Sequence, residues 1–304
     1  MVSNPIVSIL MTAFNRETYI LNAIDSVLKQ TYKEFELIIV DDCSSDNTVN
    51  LVRRKALLDN RIKLFINEVN LGDYSNRNQA ASYASGKYLK FLDSDDFLYK
   101  NSLQIMVDSM ERFPSASYGF SYRKYQINDS PFPKLYSPLE AYTEHFLISG
   151  FFYAGPGSSI IKRDVFLKVG GFSGKRFVGD YELWLKLSIS FDCIVFQPSL
   201  IWWRIHDLQE NFFSSNSHFH INLLSNFLLS MEYLGNEFCP LNTIQKKISI
   251  QTQKTLFCRN LIILLIFKLK PLVFLDLFKR SKINYFDFIK SLFPLRLRLQ
   301  NLTR

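Results

Sequence analysis

The sequence has few of the residues that mark metal centres and disulfide scaffolds. Its 304 residues include only 4 His, 4 Cys and 3 Trp. The cysteines do not show the paired spacing of a zinc or redox site; they are Cys43, Cys193, Cys239 and Cys258. This scarcity argues against a disulfide framework and a Cys/His metal centre, and it favours a reducing compartment.

Long apolar runs are also missing, although the chain is rich in apolar residues. Hydrophobic residues make up 47% of it, with 28 Phe and 15 Tyr, which argues against disorder. The longest uncharged stretch of the apolar C-terminal part, Asn260–Phe267, is far shorter than the ~20 residues that a membrane span requires. The run Ile6–Met11 is too short for a signal sequence, so we expect it to be the first core strand.

Acidic residues are nearly absent from the C-terminal part. Residues 241–304 carry 13 Lys and Arg against 2 Asp and Glu, a net charge of +11, whereas the whole chain carries +8. A basic, apolar segment after a slightly acidic body points to an anionic lipid surface more than to nucleic acid. We therefore expect residues 221–304 to form a helical extension that lies on a membrane surface through residues 241–304. The alternative is a helical cap on the sheet with a solvated basic face.

The N-terminal part alternates apolar strands with helical patterns. This order predicts an α/β domain over residues 1–220, with a doubly wound, mainly parallel sheet flanked by helices. Ligands of such sheets bind beyond the carboxyl ends of the strands. The predicted strands are Ile6–Met11, Phe35–Val40, Ile62–Ile66 and Tyr88–Leu92.

Polar residues follow three of these strands, at Thr12–Arg16, Asp41–Asp46 and Asp93–Asp96. We expect them to converge on one crevice, because the carboxyl ends of parallel strands lie at the same edge. In an extended chain Asp93 and Asp95 point the same way. Two such carboxylates suit Mg²⁺ or Mn²⁺ when substrate phosphates complete the coordination shell. The alternative is an acidic loop that caps the next helix.

A series of short motifs runs in a fixed order through residues 5–210. It comprises VSILMTAFN at 7–15, SVLKQTY at 26–32, IVDDCS at 39–44, NLG at 70–72, RN at 77–78, FLDSDD at 91–96, GGF at 170–172, GDYELWLKL at 179–187 and RIH at 204–206. In this order the series resembles family 2 of the glycosyltransferases, which have the GT-A fold. Nothing comparable reaches residues 221–304.

The resemblance implies a role for several strand-end residues in nucleotide binding. Thr12 and Phe14 match residues that line the base site, where the family often has Tyr in place of Phe14. Asp42 matches the aspartate that accepts from the imide N–H of the base, which favours uracil, with thymine as the alternative. Arg77 matches an arginine near the base and diphosphate, and Asp93 matches the residue that reaches the ribose.

The resemblance also implies the reacting groups. Asp95 matches the metal-binding member of the Asp-x-Asp signature, and Asp180 matches the catalytic base. The family usually has Glu-Asp where this chain has Gly179-Asp180, so a carboxylate that often positions the acceptor is missing. From the residues alone, Asp180 and Glu182 could instead be first-turn acids favoured by a helix dipole.

Two further residues, His206 and Trp184, have two interpretations each. By resemblance, His206 approaches the diphosphate or the metal with Arg204 nearby, and otherwise His206 is a buried core residue. Trp184 could stack on a sugar ring or fill the core.

The expected function is inverting, metal-dependent transfer of a sugar from a nucleotide donor, with a UDP-sugar favoured. The expected acceptor is a glycan or lipid-linked saccharide at the inner face of a bacterial membrane, and no nucleic-acid partner is expected. One alternative is a sugar-1-phosphate nucleotidyltransferase, but Thr12–Arg16 lacks the Gly-rich, Arg-Lys-containing loop of that class. The other is a non-catalytic membrane-surface or nucleic-acid-binding protein.

Overall fold

The computed structural model describes residues 5–121, 131–206, 219–266 and 270–292. The chain divides into two compact units: residues 1–137 with 153–204, and residues 138–152 with 205–304. The sequence predicts a domain boundary near residue 220. The residues just before it, 207–218, lie outside the described residues, so this boundary stays a prediction.

The described residues of the first unit form ten strands. They are β1 Val7–Ala13, β2 Phe35–Asp41, β3 Ile62–Ile66, β4 Tyr88–Asp93, β5 Phe97–Leu98, β6 Ala116–Ser121, β7 Lys134–Tyr136, β8 Ser159–Lys162, β9 Asp192–Phe196 and β10 Ile201–Trp202. Eight of them form one sheet in the order β3-β2-β1-β4-β8-β6-β9-β7, and β5 pairs with β10.

Most neighbours in the large sheet run parallel. β1 is parallel to both β2 and β4, β2 to β3, and β6 to β9. β8 lies antiparallel between β4 and β6, and β7 is antiparallel to β9. The predicted mainly parallel sheet flanked by helices is confirmed, and the antiparallel strands are an addition to it.

Helices pack on this sheet or form the second unit. They are α1 Ile20–Leu28, α2 Thr48–Ala56, α3 Asp73–Ser82, α4 Ser102–Arg112, α5 Pro138–Thr143, α6 Arg163–Lys168, α7 Gly179–Ser188, α8 Phe219–Gly235, α9 Thr243–Ile266, α10 Pro271–Ser281 and α11 Tyr285–Ser291. A π-helical turn follows α5 at Glu144–Ile148, and a 3₁₀ turn precedes β8 at Pro156–Ser158.

The core of the first unit explains why these segments fold as they do. β1 and β2 are nearly continuous apolar runs because helices cover both faces of a parallel sheet. α1 buries Ile20, Ala23, Ile24 and Val27, which recur at helical spacing and form one stripe. Burying one large apolar side chain contributes roughly 1.5–3 kcal/mol.

The strand register aligns the predicted polar ends. Thr12 on β1 lies opposite Asp93 on β4, and Ala13 lies opposite Asp41 on β2. The polar segments after these three strands therefore begin at the same edge of the sheet.

The second unit has its own apolar core. It is formed by residues Leu224, Phe227, Phe257, Cys258, Leu261, Leu264, Leu277 and Ile283. Within the helical extension expected from the sequence, a new helix, α10, begins at Pro271, whose missing N–H suits only a first turn. Within the described ranges, the helices are all too short or too polar to cross a bilayer.

Candidate active site

The turn that leads into α3 is held by the buried carboxylate of Asp42. Oδ1 accepts from the backbone N–H of Leu71 at 2.8 Å and from Asn67 Nδ2 at 2.8 Å, and Oδ2 accepts from the N–H of Gly72 at 2.9 Å. Gly72 has a φ of +82°, which glycine adopts without strain. Asp42 thus fixes where α3 begins, and Oδ2 can still accept one more hydrogen bond.

Arg77 joins α3 to the end of β4. Its Nε donates to Asp73 Oδ1 at 2.7 Å and its Nη2 donates to Asp93 Oδ1 at 2.6 Å. The side chain is only 7% exposed. Burial lowers the pKa of Arg77, but the nearby charges of Asp73 and Asp93 raise it by more, so the guanidinium stays charged.

One donor of Arg77 is left over. Nη1 is buried and finds no hydrogen-bond acceptor among the residues described. An unsatisfied buried donor costs about 1–3 kcal/mol, more when it is charged. An anionic oxygen would satisfy it with a charge-assisted hydrogen bond.

The segment after β4 is held by two arginines. Arg16 Nε donates to the Asp95 carboxylate at 3.2 Å. Arg204 Nε donates to the backbone oxygen of Asp95 at 2.8 Å, and the Arg204 N–H donates to Asp96 Oδ1 at 3.1 Å. The Arg204 guanidinium also lies 4.9 Å from the ring centre of Tyr19. Arg204 therefore fixes the shape of this acidic segment.

Negative charge is crowded in the same segment. Burial and the charges of Asp93 and Asp95 raise the pKa of Asp96 to about 8. Lys90 lies fully buried on β4, and its ammonium donates to the backbone oxygens of Phe91 and Gly157. Burial lowers the pKa of Lys90 to about 7. A cation beside these carboxylates would be favourable.

The acidic segment is not a complete metal site by itself. In the described ranges, no three His, Cys, Asp or Glu side chains are grouped as they would be around a metal ion. The residues fit a divalent ion of the kind that takes one or two carboxylates and completes its shell with substrate phosphates.

Asp180 lies in the first turn of α7. Its Oδ1 accepts from the N–H of Tyr181 at 2.8 Å and from the hydroxyl of Tyr74 at 3.4 Å. Burial raises the pKa of Asp180 to about 6. At neutral pH such a carboxylate is mostly ionised, and it is a stronger base than an ordinary aspartate.

Two predicted residues on α7 have structural partners. Glu182 is buried and accepts from Lys175 Nζ at 2.7 Å and from the Ser173 hydroxyl. Trp184 is fully buried, with its ring stacked 5.9 Å from that of Tyr118. Its ring therefore has no face exposed to a sugar.

The remaining predicted residues lie at the strand end or in the second unit. Thr12 is partly buried at the end of β1, and the ring of Phe14 is 45% exposed just beyond it. Partly buried His206 falls in the second unit.

Helix α3 connects three of the predicted carboxylates. It touches Asp42 through its initial turn, Asp93 through Arg77 and Asp180 through Tyr74. Asp95 instead contacts Arg16 and Arg204. Tyr74 was not predicted from the sequence, since it lies 106 positions from Asp180 and no local pattern connects them.

The comparison with protein families decides the classification. The model described as Glycosyl transferase family 2 matches residues 8–170, more than half of the chain. The chain belongs to glycosyl transferase family 2. The resemblance read from the ordered motifs is confirmed.

Curated relatives support this membership in family 2. The chain is 43% identical over 137 residues to the UDP-Glc:alpha-D-GlcNAc-diphosphoundecaprenol beta-1,3-glucosyltransferase WfgD of Escherichia coli, covering 44% of this chain and 51% of that protein. It is 38% identical over 124 residues to TuaG of Bacillus subtilis, a glycosyltransferase assigned to teichuronic acid biosynthesis, covering 40% and 48%. This family 2 chain thus spans about half the length of these relatives.

Solved structures share the fold of this family 2 chain. The crystal structure of S. aureus TarS 1–349 superposes with a TM-score of 0.66 at 20% identity, covering 97% of this chain and 82% of that one. The mannosyltransferase PcManGT of Pyrobaculum calidifontis, in complex with GDP-Man and Mn²⁺, gives 0.60 at 14% identity, covering 91% and 87%. The expected GT-A fold is confirmed.

Proposed function

We propose that this family 2 chain is an inverting glycosyltransferase that moves a sugar from a UDP-sugar to a lipid-linked saccharide in bacterial surface polysaccharide synthesis. The observation that carries the proposal is the buried, charged Arg77 with one unsatisfied donor, held between Asp93 and the start of α3. The name of the Escherichia coli relative supports both a UDP-sugar donor and a diphosphoundecaprenol-linked acceptor.

The nucleotide would bind at the ends of β1, β2 and β4. Thr12 and the exposed ring of Phe14 line the base site, and Asp42 Oδ2 accepts the imide N–H of uracil with its remaining lone pair. The Asp93 carboxylate accepts a hydrogen bond from a ribose hydroxyl, and Arg77 Nη1 donates to the diphosphate.

A divalent cation, Mn²⁺ or Mg²⁺, would be held by Asp95 together with the diphosphate. The Asp95 carboxylate and the crowding of like charges that raises the pKa of Asp96 support this assignment. When bound, the ion supplies positive charge that stabilises the departing diphosphate. Arg204 holds the backbone that carries Asp95. His206 falls in the other unit, so its expected role as a ligand stays a prediction from the sequence.

Asp180 would be the catalytic base. Its raised pKa suits removal of the proton from an acceptor hydroxyl at neutral pH. Attack by that oxygen on the anomeric carbon, with departure of UDP from the other side, inverts the configuration there.

A thermal-shift panel tests the donor. UDP-, GDP- and dTDP-sugars are compared with and without Mn²⁺, and a UDP-sugar should raise the melting temperature most, with a larger rise when Mn²⁺ is present. Arg77→Met should remove most of that rise. Equal shifts with all three nucleotides would overturn the UDP assignment. Diphosphate release from UTP and a sugar 1-phosphate would instead favour the nucleotidyltransferase.

We also propose that the second unit associates with the inner face of the cell membrane. Helices α10 and α11 expose large apolar side chains, with Leu272 80% and Phe286 72% exposed. Exposed basic residues lie along and beside the same two helices in the sequence. We define the α10–α11 surface by the apolar residues Leu272, Leu275, Tyr285, Phe286 and Leu292 and the basic residues Lys270, Lys279, Arg280, Lys282 and Lys290. Apolar side chains flanked by Lys and Arg suit an anionic lipid surface.

A further inference from the structure

Tyr74 on α3 occupies the space that a side chain at position 179 of α7 would need. A Cβ added to Gly179 would lie 2.8 Å from Cε2 of the Tyr74 ring, closer than real Cβ contacts allow. The ring also packs against Phe172, with centroids 5.1 Å apart. Glycine at 179 is therefore required by the position of Tyr74.

The hydroxyl of Tyr74 makes two contacts with Asp180. It accepts from the backbone N–H of Asp180 at 3.3 Å and donates to Oδ1 at 3.4 Å. Oδ1 also accepts from the N–H of Tyr181, whereas Oδ2 receives no hydrogen bond from any residue within the described ranges. One oxygen of the carboxylate is thus engaged and the other is left to react.

We propose that Tyr74 is a positioning residue for Asp180, and that Tyr74 and Gly179 form one coupled pair. The hydroxyl holds Oδ1 at the start of α7, so that Oδ2 is the oxygen that takes the proton of the acceptor. This inference rests on the proposed role of Asp180 as the base.

The charges around Asp180 are consistent with this role. Asp73 and Arg77 face it from α3, and Glu182 on its own helix is paired with Lys175. Burial and the charge of Asp180 raise the pKa of Tyr74, so its hydroxyl stays a donor. The hydrogen bond from Tyr74 lowers the pKa of Asp180, and removing it should raise that pKa above about 6.

The first test compares Tyr74→Phe with the wild type in UDP release from the UDP-sugar chosen by the thermal-shift panel. We expect kcat to fall about tenfold, as for the loss of one hydrogen bond. KM for the donor should stay within about twofold, and the acid limb of the pH profile should move up by about half a unit. Tyr83→Phe is the control: this residue ends the same helix, and its hydroxyl accepts from Gln79 Nε2 at 2.7 Å, away from Asp180.

The second test is a double-mutant cycle. Gly179→Ala should lower kcat in the wild-type background, because the added methyl group displaces the Tyr74 ring. In a Tyr74→Ala background the same change should have no further effect. Additive effects of the two changes would show that the pair is not coupled and would overturn the inference.

Asp180→Asn separates this inference from the proposed function. If Asp180→Asn abolishes transfer while Tyr74→Phe leaves the acid limb where it was, Tyr74 does not position the base, and the base assignment stands. If Asp180→Asn retains transfer, the base assignment itself fails. A substrate-free measurement is the pH at which the difference in unfolding free energy between wild type and Asp180→Asn levels off. This pH marks the folded-state pKa of Asp180 and should rise by about half a unit in the Tyr74→Phe background.

Discussion

Arg77 is a residue at which charge and geometry both matter. Lysine keeps the charge but is a point donor that cannot join Asp73 to Asp93 as the guanidinium does. We expect Arg77→Lys to lower the unfolding free energy by about 2 kcal/mol and to weaken UDP binding by about tenfold. Urea unfolding and calorimetric titration with UDP measure the two effects. Arg280→Lys, at an exposed ion pair with Asp276, should change neither; unaltered UDP affinity in Arg77→Lys would contradict the proposed phosphate contact.

The ionised side chain of Asp180 should lower the unfolding free energy at neutral pH. Its folded-state pKa of about 6 exceeds the ordinary value of 3.8, so the wild type loses stability as the pH rises from about 4 to 6. A two-unit shift corresponds to about 3 kcal/mol, which partial exposure reduces to about 2 kcal/mol. Asp180→Asn should therefore stabilise the protein by about 2 kcal/mol at pH 7 and equal the wild type below pH 4.

The control variant is Asp59→Asn, for which the change in stability with pH should have the opposite sign. Hydrogen bonds from Arg61 lower the pKa of Asp59, so Asp59→Asn should lose stability at pH 7 and little in acid. Urea unfolding at several pH values measures both variants. A difference between Asp180→Asn and the wild type that did not depend on pH would contradict the raised pKa.

The start of α3 depends on a single carboxylate. Asn at position 42 can accept through only one atom, and its amide group would face a backbone N–H of Leu71 or Gly72. We expect Asp42→Asn to cost about 2 kcal/mol of stability and to speed hydrogen exchange at the Leu71 and Gly72 amides. Exchange measured by NMR gives the answer, and Asp25→Asn, at a surface pair with Lys55, is the control. Unchanged protection of both amides would show that Asp42 does not hold this turn.

Sequence patterns predicted the elements that depend on local signals. The apolar runs of β1, β2 and β4 and the stripe of α1 required only nearby residues. The placement of β8 between β4 and β6 depends on pairing between distant segments, which no local pattern encodes. The start of α10 was within reach of the sequence, because Pro271 marks it.

The candidate site, like the fold, could be predicted only where local sequence signals determine it. The convergence of Thr12, Asp42 and Asp93 followed from parallel-strand geometry, and the register places the three strand ends together. The contacts that each carboxylate makes were not predictable. The Asp42 carboxylate accepts hydrogen bonds from backbone amides, and the Asp180 carboxylate accepts one from a tyrosine of another helix.

For the whole molecule, the decisive prediction concerns the α10–α11 surface. Deleting residues 241–304 would remove α9 and the core it forms, so surface substitutions are the sharper test. Leu272→Ser with Phe286→Ser should release the protein from vesicles rich in phosphatidylglycerol, and added salt should weaken binding of the wild type. Cosedimentation measures both. Leu57→Ser with Leu58→Ser, at exposed leucines of the first unit, is the matched control; equal release by both pairs would contradict a specific lipid-binding face.

Helix α3 has one more consequence, because it carries both Arg77 and the tyrosine beside Asp180. The positive charge of Arg77 lowers the pKa of Asp180. A diphosphate that neutralises this charge therefore makes Asp180 hold its proton more tightly. Thermodynamic linkage then requires the reverse effect: lowering the pH, which protonates Asp180, increases the affinity for the nucleotide. Binding of the donor nucleotide and protonation of the catalytic base would therefore be energetically coupled through this helix.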